Sequence, residues 1–405
     1  MRVNVVGSGG REHALREVLG RTAEVVAEVD DADLVVIGPE APLIAGLADD
    51  LRARGQRVFG PGADGARLEG SKAWMKEVLA EAGVPTARHG TFTTLGPAVE
   101  FLSSLPGPFV VKTDYLAAGK GVTVTPSLDE ASADVAEKLQ HGAVVIEEAM
   151  AGPEVSLLCV CDGHRAVALA AARDHKRVRS GDFGPMTGGM GAYSPVAGVD
   201  EAAIAKAIVA PTLDALRERG IDYRGVLYAG LMLTDQGPKV VEYNVRFGDP
   251  EAQVVLPRFS GDLAALLAEA ADGEMRTEPA FVQDACVTVV LASEGYPGPC
   301  RTGEAIQGLG DAESVEDVVV FRAGVAEDAD GTLRTAGGRV LNVTAFGPTV
   351  AIARRRAYEA VSLISWPGMH YRTDIAADAG TDIAGAAGTD IAGAAGPGTG
   401  PGGSG

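Results

Sequence analysis

The run Glu242-Tyr243-Asn244-Val245-Arg246 sets a carboxylate, an amide and a guanidinium at alternate positions of a strand-like segment. A side-chain period of two puts all three on one face. The hard oxygens of Glu242 and Asn244 suit a divalent cation, and Arg246 beside them suits a transferring phosphoryl group. A second basic element lies upstream. Lys112 ends an apolar strand, and Gly119-Lys120-Gly121 forms a flexible turn before the next strand. Such a hairpin can fold over a triphosphate, with Lys112 and Lys120 as point charges on phosphate oxygens. A Walker A loop is excluded. That pattern needs a glycine at position 114 and a hydroxyl residue at 121, where Asp114 and Gly121 stand.

Three further segments carry chemistry. The strand Val144–Glu148 ends in Glu147 and Glu148, then turns through Ala149 and Gly152-Pro153-Glu154. Backbone amides at such a hinge can read an adenine edge, and a carboxylate can accept both ribose hydroxyls. Arg173-Asp174-His175-Lys176-Arg177 precedes a glycine-rich loop, Gly181–Pro195, and suits a lid over an anionic intermediate. His175 reads as a structural or substrate contact, not a catalyst. The loop Gly7-Ser8-Gly9-Gly10-Arg11-Glu12 offers backbone N–H groups at a helix start beside Arg11, a place for a sugar phosphate. A dinucleotide fingerprint would need glycine where Glu12 stands, so an NAD site is disfavoured.

These segments need a scaffold. The chain has 405 residues, 46% hydrophobic and 22% charged, enough for several cores. Its net charge of −20 repels nucleic acid and anionic lipid, so neither is an expected partner. Cys159, Cys161, Cys286 and Cys300 fit no zinc spacing and no secreted disulfide framework. No apolar run reaches the ~18–20 residues that span a bilayer. A soluble, cytoplasmic protein is expected, a monomer or small homo-oligomer acting on small molecules. Strand–helix alternation over residues 2–59 predicts a parallel, doubly wound sheet. The predicted organisation is α/β and α+β multidomain. A short first domain covers residues 1–69, a central core 70–86 and 149–285, and an inserted lid 87–148. A small α+β domain follows at 286–373. The repeats TDIAADAG, TDIAGAAG and TDIAGAAG, with PGTGPGGSG, make 374–405 a disordered tail.

Taken in order, GSGGREHAL, VIGPEAPL, LEGSKAWMK, LAAGKGV, VIEE, DHKR, TGGMGAYSP, EYNVRFGDPE, GGRVLNVTA and RTDI closely resemble the phosphoribosylamine–glycine ligase family of ATP-grasp enzymes. The resemblance runs to about Asp374. It implies a pre-ATP-grasp domain, a split ATP-grasp core with a lid, and a C-terminal domain. It implies ATP as cosubstrate with Mg²⁺ or Mn²⁺, and an acyl-phosphate captured by a phosphorylated amine, in purine biosynthesis. For ATP it implies Lys72, Lys112 and the Gly119–Gly121 flap on phosphates, Glu147, Glu148 and Ala149 at adenine, and Glu154 on ribose. Glu242 and Asn244 take the metal, and Arg246, Lys120, Asp174 and Lys176 the reacting centre. Gly9, Gly10, Arg11, Glu12, Pro39, Glu40, Asp114, Gly188 and Gly189 take the other substrates.

The chain departs from that pattern in places. A βαβ unit's length is missing after Arg21, a bulky Tyr115 follows Asp114, Met186 replaces an asparagine, and Cys300 replaces a tyrosine. The nucleotide groups are intact, and the departures lie on the substrate side. A relative with a different acid or amine, or a non-catalytic nucleotide binder, are the alternatives.

Overall fold

The computed structural model of the chain describes residues 1–115 and 121–379. The first sheet is parallel, in the order Glu24–Val25, Arg2–Val6, Leu34–Ile37, Val58–Phe59. Val3, Val5 and all of Leu34–Ile37 are buried, as strands covered on both faces must be. The sequence predicts no strand between Arg21 and Asp33. Glu24–Val25 is one, but two residues are too few to carry a pattern. The single helix predicted over residues 43–54 is two, Glu40–Ile44 and Leu47–Ala53. They part at Gly46, whose φ of +87° suits glycine.

The helix Lys72–Glu81 is capped by Ser71, whose Oγ accepts from Trp74 N at 3.1 Å. After it comes an antiparallel sheet in the order His89–Phe92, Val144–Glu148, Phe109–Thr113, Val122–Thr125. The helices Leu95–Ser103 and Leu128–Lys138 join this sheet in a core of their own, built on Ala98, Leu102, Val111, Val135 and Ile146.

The central sheet is antiparallel, in the order Ala166–Ala168, Glu154–Asp162, Arg224–Thr234, Gly237–Asn244. Thr86 ties the preceding segment to it by donating to the Val240 carbonyl at 2.6 Å. A five-stranded sheet follows, in the order Arg173–Asp174, Gly191–Ser194, Ala285–Ala292, Arg339–Gly347, Val318–Arg322. It takes strands from both sides of residue 286, so the last region shares a sheet with the central one.

The prediction that everything from Asp374 is disordered does not hold for Asp374–Ala379. Ile375 is fully buried, and Arg354 donates to the carbonyls of Thr373 and Ile375 at 2.7 and 2.9 Å. Composition counts apolar residues, and here one isoleucine with a matching groove suffices. Residues 380–405 lie outside the described residues. Among the described residues no helix is long and apolar enough to cross a membrane.

Candidate active site

Register builds the central face. Residues paired across antiparallel strands point the same way. The rows are therefore Glu154 with Met232; Ser156 with Gly230 and Glu242; and Leu158 with Tyr228 and Asn244. Tyr243 points the other way, and its hydroxyl lies 2.7 Å from Thr212 Oγ1. The alternation expected of Glu242, Asn244 and Arg246 is present: Arg246 Nη2 donates to Asn244 Oδ1 at 3.2 Å.

Arg246 is held from behind. Its Nη2 also donates to Glu69 Oε1 at 3.0 Å, and its Nε to Glu40 Oε2 at 3.3 Å. Burial opposes its charge, but Glu69 and Glu40 outweigh that and raise its pKa. Burial pushes the Glu69 carboxyl up, against Arg246. Burial acts on Glu40 too, but Arg246 and Arg11 hold it below the usual carboxylate range.

Glu242 and Asn244 offer two hard oxygens side by side. Among the described residues there is no group of three or more His, Cys, Asp or Glu side chains able to hold a metal. Two protein oxygens are what Mg²⁺ takes when substrate phosphates and water complete its shell, so the donor set fits that ion.

The lysines come to the same place from the other sheet and the capped helix. Lys72 is close enough to Glu242, Lys112 and Asp114 to feel each. Burial lowers its pKa most, Glu242 raises it and Lys112 lowers it. Lys112 donates to the Val241 carbonyl at 3.2 Å and pairs with Glu147 Oε2 at 2.9 Å. Glu147 Oε1 lies 3.0 Å from Lys76, which also donates to Thr86 at 2.6 Å. Burial and then Lys112 depress Lys76 to about 8, although Glu147 pulls it up. Lys120 and Gly119 lie outside the described residues; the Gly121 carbonyl accepts from Thr113 N at 3.0 Å.

Several residues expected at ATP do other work. The Glu147 side chain is buried between Lys76 and Lys112. Glu148 Oε1 accepts from Arg88 N at 3.0 Å, and Ala149 N donates to the Pro108 carbonyl at 3.1 Å. Both groups thus hold the strand end in place. Glu154 pairs with Lys176, which also reaches Asp174 at 3.2 Å. Burial opposes the Lys176 charge, but Asp174 and Glu154 overcome it and hold Lys176 firmly protonated. Behind this trio lies a network the motifs do not reveal. Tyr228 donates to Glu251 Oε1 at 2.7 Å, and Ser156 Oγ is 2.7 Å from the same hydroxyl.

On the substrate side, Asp114 serves as a helix cap. Its Oδ1 accepts from Ala73 N at 2.8 Å and from Ser71 Oγ at 3.0 Å. A carboxylate there satisfies free N–H groups and complements the helix dipole. Glu12 is likewise turned inward, accepting from Gly9 N at 2.7 Å and from Arg11 Nε at 2.7 Å. The loop is glycine-rich because Glu12 fills it: a Cβ on Gly7 would lie 2.8 Å from Glu12 Cγ, and one on Gly9 2.7 Å from Glu12 Oε2. Arg11 Nη1 donates to the Phe247 carbonyl at 3.2 Å, and Pro39 caps the helix that begins at Glu40.

Gly188 and Gly189 are brought to the same region by Arg339. Its Nη1 donates to the carbonyls of Gly188 and Asp249, each at 2.7 Å, and its Nη2 pairs with Asp249 at 3.1 Å. Gly189 has φ +109°, and a Cβ there would meet Pro250 Cδ at 2.4 Å. A Cβ on Gly10 would meet Asn342 Nδ2 at 2.4 Å, so this glycine permits close packing of the first helix on the last sheet.

Lys76, Glu69, Glu251 and Arg339 are the site residues that motif reading missed. Lys76 had a signal: it is one helical turn from Lys72, beside buried Met75 and Leu79. The other three act through partners roughly 20 to 180 positions away, which spacing does not show.

The profile for the ATP-grasp (A) domain of phosphoribosylglycinamide synthetase matches residues 70–252. The C-domain profile matches 286–378 and the N-domain profile 20–69. A phosphoribosylamine–glycine ligase of Leifsonia xyli subsp. xyli is 46% identical, over 94% of this chain and 100% of its own. One from Brucella melitensis biotype 1 is 44% identical, over 93% and 97%. The crystal structure of phosphoribosylamine–glycine ligase from Thermotoga maritima matches with a TM-score of 0.81 at 35% identity, over 93% of this chain and 100% of that one. A biotin carboxylase from Campylobacter jejuni, at 11% identity and a TM-score of 0.70, shares the fold.

Proposed function

The chain belongs to the phosphoribosylglycinamide synthetase family, and from that premise we propose how its residues carry the family's reaction. It is an ATP-dependent C–N ligase that joins glycine to 5-phosphoribosylamine, giving glycinamide ribonucleotide, ADP and phosphate. The observation that carries the site reading is the convergence of Lys72, Lys112 and Lys176 on the face bearing Glu242 and Asn244.

In the first step a glycine carboxylate oxygen attacks the γ-phosphorus of ATP. The bond to the ADP oxygen breaks, leaving glycyl phosphate. In the second step the amine of phosphoribosylamine attacks the glycyl carbonyl. The amide C–N bond forms, phosphate leaves with the old C–O bond, and the amine proton passes to solvent or phosphate. Neither step needs a protein nucleophile. The residues position reactants and neutralise charge.

Lys72 and Lys112 face the phosphates, and Arg246, fixed by Glu69 and Glu40, faces the transferring group. Lys176, kept charged by Asp174 and Glu154, lies on the same face. Glu242 and Asn244 hold Mg²⁺ or Mn²⁺. An ion held by these two residues would supply positive charge against the charge that develops on the transferring phosphoryl group. The region where the Gly9–Arg11 loop, Gly188-Gly189, Asp249 and Arg339 meet receives the phosphoribosyl substrate. A cytoplasmic location is part of the proposal, supported by three buried cysteines without a disulfide.

The test is direct. Protein, ATP, MgCl₂, glycine and freshly generated phosphoribosylamine are mixed, and ADP and the ligated mass are followed. ADP release that needs both cosubstrates supports the reading. Mg²⁺-dependent ATP binding without turnover on this pair would shift it to a different acid or amine.

A further inference from the structure

The first TDIA segment is seated in a made-to-fit groove. Asp374 accepts from Gly181 N at 2.7 Å and from both Nε and Nη2 of Arg372 at 2.8 and 2.7 Å. Arg354 reads the Thr373 and Ile375 carbonyls, and Tyr358 Oη accepts from Ile375 N at 3.0 Å. Thr373 N donates to Ser180 Oγ at 2.9 Å. The Ile375 side chain is fully buried and presses on Gly191, where a Cβ would lie 2.8 Å from its Cδ1. All of these anchors are side-chain or backbone groups of Thr373, Asp374 and Ile375.

The same four residues recur at 381–384 and 389–392, eight and sixteen positions on. The C-domain match ends at Asp378, within the first copy, so the later copies lie beyond it. Only one described anchor of the first copy is not repeated. Asp378 pairs with Arg173 at 3.2 Å, whereas Ala386 and Ala394 stand at the equivalent positions.

We propose that this groove, between the helix bearing Arg354 and Tyr358 and the loop at Ser180–Gly181, is a binding site for the Thr-Asp-Ile-Ala sequence as such. Thr381–Ala384 of the same chain is its second occupant. The later copies are interchangeable plugs. The first is preferred by tethering and by Asp378, which pairs with Arg173 and lies 3.9 Å from His175 Nε2.

Deleting residues 373–380 joins Arg372 directly to Thr381 and tests this. Thermal melting of that deletion is compared with the full chain and with a chain ending at Arg372. The deletion should melt within about 2 °C of the full chain, and the shortened chain several degrees lower. Adding Ile383→Asp and Ile391→Asp together, which removes the isoleucine of both remaining copies, should return the deletion to the shortened chain's value. The rescue should not depend on protein concentration, because the plug is on the same chain. A deletion that melts with the shortened chain, or an indifferent Ile383→Asp, Ile391→Asp pair, overturns the proposal. A rescue that grows with concentration overturns the same-chain occupant. Should the shortened chain not fold, a folded deletion whose derivative with both Ile383→Asp and Ile391→Asp is unfolded supports the proposal, and an unfolded deletion overturns it.

Discussion

Arg246 donates through Nη2 to Asn244 Oδ1 at 3.2 Å, and this contact decides which way the Asn244 amide faces. A guanidinium has no acceptor, so it selects the amide oxygen of Asn244 and fixes which way the amide faces. The oxygen keeps a second lone pair, which the proposed cation would take. Arg246 thereby acts twice, as a positive charge on the sheet face and as the group that orients Asn244, the proposed metal ligand.

Arg246→Lys keeps the charge and loses the fork. Kcat is expected to fall roughly 10²–10³-fold, with a weaker apparent metal affinity, and the fold retained by circular dichroism. Steady-state kinetics across a metal titration check it. A lysine variant with near-native kcat and metal dependence would show that orientation of Asn244 is unimportant.

Glu147 neutralises two buried ammonium groups at once. Glu147→Gln removes that charge and leaves Lys76 and Lys112 facing each other. A destabilisation of about 3–5 kcal/mol is expected, read as a lower urea midpoint. A neutral result would mean that one lysine sheds its proton freely, which the depressed Lys76 makes the natural escape.

Glu251 gives a pH dependence of defined sign. Burial, then Asp174, pushes its carboxyl up to about 7. A raised folded-state pKa means the native state favours the proton. The associated stability is complete below the ordinary carboxylate range and is lost as pH rises through about 7. Glu251→Gln mimics the neutral form and keeps an acceptor for Tyr228. It is expected to be more stable than the parent at pH 8, by roughly 2–3 kcal/mol at most. The difference should vanish near pH 4.5. Parallel melting curves at the two pH values measure it.

The same residues show what sequence could reveal. Alternation alone grouped Glu242, Asn244 and Arg246, because a strand's period is fixed by its backbone. Failed spacings excluded Walker A and dinucleotide loops for the same reason. Charge type did not reveal destination. Glu12, Asp114 and Glu147 have the chemistry of ligands, but each is spent inside the fold, on a loop amide, a helix cap and two lysines. Their partners are set by tertiary packing. The tail showed the same limit: repeat composition said disorder, while a groove contributed by distant segments orders Asp374–Ala379.

Gly230 sits across from Glu242, and a Cβ there would lie 3.2 Å from Glu242 Cγ. Gly230→Ala should therefore move the Glu242 side chain by a few tenths of an ångström, with little loss of stability. A several-fold rise in the metal concentration needed for half-maximal rate is expected, with the ATP-independent fold unchanged. Unaltered metal dependence would place the Glu242 carboxylate away from the ion.

Glu242→Ala bears most directly on the whole account. ADP release is followed with ATP, glycine and phosphoribosylamine at saturating Mg²⁺ and again at saturating Mn²⁺, alongside circular dichroism. The expected result is a native spectrum with turnover reduced at least roughly 100-fold under both metals. Turnover within a few-fold of the parent, in a folded protein, would contradict a metal-bound triphosphate on this face of the sheet.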